Sequence, residues 1–327
     1  MDFPCGRLVS GLELWRWYCQ TKAYALRAGI SVAEVDLFLQ EFAQLDRLTL
    51  RLESFKDWPN VSMELSLVEL DSLWRRRLED RVPLQYLTGV AYWRNFSLRV
   101  GSGVLIPRPE TECLIDLVLV ATNSVSELGQ GNWVDLGTGS GPIACGLADI
   151  LTEASIYAVD YSPVALAIAR QNAIKLGLAH RINFLEGSWW EPLEDLRGKV
   201  SGMVANPPYI PSVMIPPLQP EVRNHEPHLA LAGGIDGLDC IRFLIETAPL
   251  YLVPGGVCLL EMMASQSEEV AKMLLGHGSY CQVKIFQDLE GVDRFAMAYL
   301  KEQILFFLAS KIFTEKYRRL PVIVILI

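Results

Sequence analysis

From residue 110 onward the chain alternates short, nearly continuous apolar runs with stretches of helical periodicity, and this alternation narrows its possible folds more than any other feature. The apolar runs are 133–135, 156–160, 182–185, 202–205, 257–261 and 282–286, with helical stretches such as 163–176 and 237–251 between most of them. Strands that are apolar on both faces and joined by helices predict a parallel sheet covered on both sides. The last run, 294–300, follows its predecessor after only 288–293. That gap is too short for a crossover helix, so this pair is expected to be antiparallel. The expected fold is α/β: a doubly wound, Rossmann-like sheet with one antiparallel edge strand.

The segment 1–82 has a different texture. Ser31-Val32-Ala33-Glu34 and Ser66-Leu67-Val68-Glu69 both match the capping box, in which Ser bonds the third backbone N–H and Glu bonds back to the Ser N–H. Apolar residues recur at helical spacing behind each, including Val35, Phe38 and Phe42, then Leu70, Trp74 and Leu78. A small helical domain over 1–82 is predicted, with the loop at 57–60 as one connection. Over 83–109, residues 92–100 alternate large and polar side chains, and Gly101-Ser102-Gly103 reads as a turn before Val104-Leu105-Ile106. That is a linker with a β-hairpin leading into an α/β domain over 110–300. The tail 301–327 holds two apolar blocks around a basic stretch, each too short to span a bilayer, and is expected to pack as an appended helix and strand, with attachment to a membrane surface as the weaker alternative.

The 327 residues carry 38 acidic against 29 basic side chains, a net charge of −9. Phosphate-binding surfaces are basic, so nucleic acid is disfavoured as the principal partner. Seven scattered cysteines, none in a C-x-x-C pair, point to free thiols in a reducing compartment rather than to zinc or a redox dithiol. Residues 1–10 lack the charged and apolar regions of a signal peptide, and no apolar stretch reaches the ~18 residues of a membrane span. A soluble, cytoplasmic monomer is expected.

Chemistry concentrates at the strand ends. Val134-Asp135-Leu136-Gly137-Thr138-Gly139-Ser140-Gly141 lies at a strand-to-helix turn, where the glycines Gly137, Gly139 and Gly141 let backbone approach a ligand and the next helix turns its N–H groups toward it. Asp160 follows by about 20 residues, the distance at which a carboxylate meets ribose hydroxyls in doubly wound folds. The turn is G-x-G-x-G, followed by Pro142 and by no Lys-Ser/Thr, so it matches neither the dinucleotide fingerprint nor a P-loop. Asp135 would repel a pyrophosphate but suits a cation, and S-adenosyl-L-methionine carries a sulfonium and an α-amino group. Trp189 offers a plane on which adenine could stack, or a core tryptophan; Trp190 beside it reads as a packing residue. Asn206-Pro207-Pro208-Tyr209 ends the fourth strand, at the edge where open α/β sheets bind ligands. A planar NH2 is a poor nucleophile, because its lone pair is delocalised. The Asn206 oxygen and the Pro207 carbonyl can accept its two N–H groups, consecutive prolines fix the backbone, and Tyr209 supplies a flat face. His225 and His228 bracket Glu226, but with no third ligand pattern they read as a solvated loop rather than a metal site.

With these residues in view, the chain resembles the HemK/PrmC family of release factor glutamine N5-methyltransferases. The resemblance covers roughly 73–300. It is carried by Pro83-Leu84-Gln85-Tyr86-Leu87-Thr88-Gly89, by Ile106-Pro107-Arg108-Pro109-Glu110-Thr111-Glu112 and by the glycine turn. The Asn206 motif, Glu226-Pro227 with Gly233-Gly234-Ile235-Asp236-Gly237-Leu238, and 288–294 complete it. The family implies S-adenosyl-L-methionine as cofactor, peptide chain release factors as partners and the glutamine of their Gly-Gly-Gln loop as substrate. It implies that Gly137, Thr138, Gly139, Ser140, Gly141, Asp160, Trp189 and Asn206 hold the cofactor. Asn206, Pro207, Pro208 and Tyr209 would grip the glutamine amide, with Asn206, Pro207 and Tyr209 as the catalytic set and no metal. Arg108, Glu110 and Glu112 are open to helix capping or substrate contact. The chain departs from many members at Ser188, where they have Asp, and beyond residue 300. Three rivals are an adenine N6 methyltransferase of DNA, disfavoured by the charge, a ribosomal-protein glutamine methyltransferase, and a non-catalytic translation-factor binding module.

Overall fold

The structure is a computed structural model in which residues 7–302 are described. Strand β1 (Arg7–Val9) leads into α1 (Gly11–Arg27), α2 (Ala33–Ala43) and α3 (Arg47–Leu52). After them come β2 (Val61–Met63), α4 (Leu67–Glu79) and α5 (Leu84–Thr88). Their apolar faces close on one core that includes Leu14, Phe38, Phe55, Leu70 and Trp74. The two short strands pair antiparallel, an addition to the all-helical expectation. In β2 only Val61 and Met63 point inward around exposed Ser62, a period too brief to read from sequence. The Ser66 capping box forms, with the Glu69 N–H donating to Ser66 Oγ at 3.3 Å and the Ser66 N–H to Glu69 Oε2 at 2.9 Å. The Ser31 box does not: α2 begins at Ala33, and the Glu34 carboxylate is taken by Arg77 from α4 at 2.6 and 3.0 Å.

The hairpin is β3 (Val90–Trp93) and β4 (Phe96–Arg99), with Trp93 opposite Phe96. Its turn is therefore Arg94-Asn95, not the expected Gly101–103 segment, and Val104-Leu105-Ile106 is not a strand. Arg94 takes a left-handed φ of 50°. Glu112 stabilises it from outside by accepting the Arg94 N–H at 2.8 Å.

Next come α6 (Cys113–Ser124), β5 (Asn132–Leu136), α7 (Pro142–Ile150), β6 (Ser155–Asp160), α8 (Pro163–Lys175) and β7 (Ile182–Glu186). The chain continues through β8 (Val200–Ala205), α9 (Pro220–His225), α10 (Asp239–Thr247), β9 (Leu252–Glu261), α11 (Ser267–His277), β10 (Tyr280–Gln287) and β11 (Asp293–Leu300). Seven strands form one sheet in the order β10-β11-β9-β8-β5-β6-β7. Successive residues of β5 face opposite layers: Trp133 joins a core with Leu114, Ile143 and Leu166, while Val134 joins one with Met203, Leu244 and Val270. The doubly wound sheet with one reversed strand is as expected. That strand, β11, is not at the rim, however, but pairs with β9 on one side and β10 on the other. Phe295, Ala296, Met297 and Ala298 are buried in it, whereas β10 alternates with polar Gln282 and Lys284 and suits the edge. The expected helix and strand of the tail lie outside the described residues. Among the described residues no helix is long and apolar enough to cross a membrane.

Candidate active site

Strand β5 pairs with β6 on one side and β8 on the other, so the chain's direction of progress through the sheet reverses there. A cleft of about 480 Å3 opens at that switch point, beyond the carboxyl ends of the strands. The glycine turn after β5 forms its floor. Gly137 and Thr138 donate their N–H groups to the Val159 carbonyl, both at 2.9 Å. Asp135, wholly buried behind the turn, accepts from Thr138 Oγ1 at 2.6 Å and from the Ala144 N–H at 3.0 Å. It does not line the cleft, so it shapes the site through the turn and not by contact. Gly137, Gly139 and Gly141 are all left-handed, at φ of 81°, 56° and 87°. The first and second line the cleft. At Gly141 a Cβ would sit 3.0 Å from that of Ala169, so this glycine serves the packing of α7 on α8.

Asp160 lies at the end of β6 and accepts from the Gly139 N–H and the Ser162 N–H, each at 2.8 Å. Burial raises its pKa, and the backbone N–H groups work against that rise. Trp189, with φ of 51°, turns its ring over Gly137, so that a Cβ there would lie 3.6 Å from it. Trp190 points the other way and stacks on Tyr251, with centroids 4.3 Å apart. Thr138, Ser140, Trp189, Asn206 and Pro208 share the cleft with Asp160, while Pro207 and Tyr209 stand behind its wall.

The Asn206 motif leaves β8 beside the end of β9. The Asn206 Nδ2 donates to Thr111 Oγ1 at 3.1 Å, Thr111 Oγ1 donates to Glu261 Oε2 at 2.7 Å, and Tyr209 Oη donates to Glu261 Oε1 at 3.1 Å. Burial pushes Glu261 up to about 7, against the two hydroxyls and Arg294, and holds the Tyr209 phenol well above its ordinary value. The segment 233–238 folds back over the motif. A Cβ at Gly233 would meet the Pro208 carbonyl oxygen at 2.7 Å, one at left-handed Gly237 would strike that of Tyr209, and Gln266 Nε2 donates to the same Tyr209 oxygen at 2.9 Å. Arg108 pairs with buried Glu226 at 2.8 Å, while Glu112 holds the hairpin turn. The rings of His225 and His228 donate to the carbonyls of Asp80 and Arg223, at 2.7 and 3.1 Å.

The methyltransferase domain family matches residues 129–277. A release factor glutamine methyltransferase of Synechocystis is 47% identical over 291 residues, 89% of this chain and 97% of that protein. The chain belongs to the release factor glutamine methyltransferase family. Members from Thermosynechococcus vestitus and Gloeobacter violaceus are 46% and 41% identical, over 89% and 86% of this chain and 99% and 96% of theirs.

Three residues shape the site of this family member in roles not expected from its sequence: Thr111, Glu261 and Asn172. Glu261 had a signal, a carboxylate at the carboxyl end of a strand, where ligands bind. Asn172 had none. It lies buried in α8, donates to the Ser140 carbonyl at 2.8 Å and the Arg99 carbonyl at 3.0 Å, and so ties the glycine turn to the hairpin.

Proposed function

We propose that this chain transfers a methyl group from S-adenosyl-L-methionine to the side-chain N5 of the glutamine in the Gly-Gly-Gln loop of peptide chain release factors. The observation that carries this reading is the placement of Asn206 in the same cleft as the glycine turn and Asp160. Among the described residues lining that cleft, the charged ones are Arg108 and Asp160, and Arg108 is already paired with Glu226. Such a lining fits an adenosyl cation better than a pyrophosphate. Among the described residues Ser140 Oγ is buried without a partner, and Gly139 leaves open space for a close approach. Thr138, Gly139, Ser140 and Gly137 would hold the cofactor from below, Asp160 its ribose and Trp189 its adenine. Gly141 supports them by keeping α7 close to α8.

Bound there, S-adenosyl-L-methionine supplies an electrophilic methyl group. The residues of the chain do the rest by positioning. Asn206 Oδ1 accepts an N–H group of the glutamine amide and Pro208 bounds that amide in the cleft, while Pro207 and Tyr209 back them from behind the wall. Alignment of this kind can remove ~7–11 kcal/mol of barrier. No strong base is required, because the methylated nitrogen is acidic enough to lose its proton to water. Segment 1–82 docks the release factor, 83–109 links it, and 110–300 carries the transfer, in a cytoplasmic monomer without nucleic acid. The test is to incubate the protein and labelled S-adenosyl-L-methionine with release factor, ribosomal proteins and duplex DNA. Label is expected in the release factor and lost when its loop glutamine is replaced; label in DNA or ribosomal protein alone would sink the proposal.

A further inference from the structure

Asn206 is useful to a substrate N–H only if its carbonyl end faces the cleft, and the structure contains a device that sets this. We propose that Glu261 and Thr111 are positioning residues that fix which end of the Asn206 side-chain amide is presented. Asn206 and Thr111 line the cleft, while Glu261 lies behind them at the end of β9, 1% exposed. An ionised carboxylate accepts and cannot donate, so both hydroxyls that reach it, Thr111 Oγ1 at 2.7 Å and Tyr209 Oη at 3.1 Å, spend their single hydrogens on it. Thr111 then has only lone pairs left for Asn206. The atom that meets it at 3.1 Å must be Nδ2, and Oδ1 is turned toward the cleft. One buried charge thus determines the polarity of a hydrogen-bond chain three links long.

The charged groups facing Glu261 are Arg294 from β11 and Glu110 from the turn before α6. Arg294 is itself held by Asp288 at 3.1 Å. A proton on Glu261 Oε2 reverses the logic: the carboxyl donates to Thr111 Oγ1, Thr111 regains a hydrogen to offer, and the Asn206 amide can turn over. Burial brings that event within reach of ordinary buffers by pushing Glu261 up to about 7.

This inference rests on the function proposed above for what Oδ1 faces, but one of its two tests needs no substrate. In the amide nitrogen–proton spectrum of the 15N-labelled chain, the side-chain pair of Asn206, identified by its loss in Asn206→Asp, is expected to shift with pH in the wild type. In Glu261→Gln it is expected to stay constant. The kinetic test uses Glu261→Gln and the near-isosteric Thr111→Val. Each is expected to lower kcat about 100-fold, the cost of a misplaced contact, with little change in KM for release factor. Thr111→Ser, which keeps the hydroxyl, should restore most of the turnover. A pH-invariant Asn206 pair in the wild type would overturn the device. So would Glu261→Gln and Thr111→Val proteins that melt earlier but turn over normally once folded. A wild-type protein that leaves release factor unlabelled would instead overturn the function, and the spectrum would still decide the network.

Discussion

Asp135 holds the turn with one oxygen, Oδ2, while Oδ1 is buried with no partner among the described residues. Burial pushes its pKa up to about 7, against the Thr138 and Ala144 bonds. The folded chain therefore keeps a proton that the unfolded chain loses from about pH 4 upward. The contribution of this group is fully present below that pH and is lost as pH rises through about 7. Asp135→Asn keeps the shape and removes the titration. In thermal melts at about pH 8 the variant is expected to exceed the wild type, by an amount on the order of a few kcal/mol, and to decline less between acid and neutral pH. Equal slopes for the two proteins would refute this.

Among the elements, the segment that follows β8 earns its shape by folding back on itself. Ile210 donates its N–H to the Leu231 carbonyl and accepts from the Gly233 N–H, both at 3.0 Å, which brings Gly237 against Tyr209. Gly237→Ala adds a methyl group to that contact and a left-handed alanine at φ of 79°. It should cost at least about 2 kcal/mol in urea unfolding and lower turnover by displacing the motif; a variant as stable and active as wild type would contradict the packing described. The strands of the sheet were legible because burial on both faces leaves an unbroken apolar run. The hairpin turn was not, since Arg94 is held in a left-handed conformation by Glu112, a partner 18 residues away. The Ser31 box misled because its Glu34 has a stronger partner 43 residues on in Arg77. At the site, the glycine turn and the Asn206 motif announce themselves locally. The Thr111–Glu261 bond spans 150 residues, and no local pattern encodes it.

Across the whole molecule, the helical segment is tied to the strand-helix region through the same fold-back. Arg77, 5% exposed on α4, reaches Glu34 on α2 and, at 2.8 Å, Glu221 on α9, while Arg81 adds a second bond to Glu221 at 2.7 Å. Removing Arg77 leaves Glu34 without its counter-charge, while Glu221 keeps only Arg81. Arg77→Met is expected to destabilise the chain by about 3 kcal/mol, read as a lower urea midpoint; an unchanged midpoint would show that Glu34 finds water and that Arg81 suffices for Glu221. The position of β11 bears on how the protein is made. Because the last strand among the described residues is an inner one, a nascent chain that stops before residue 293 leaves β9 and β10 each with a bare rim. Premature termination would therefore yield a sheet with a gap where Phe295 and Met297 belong, prone to stick to its own kind.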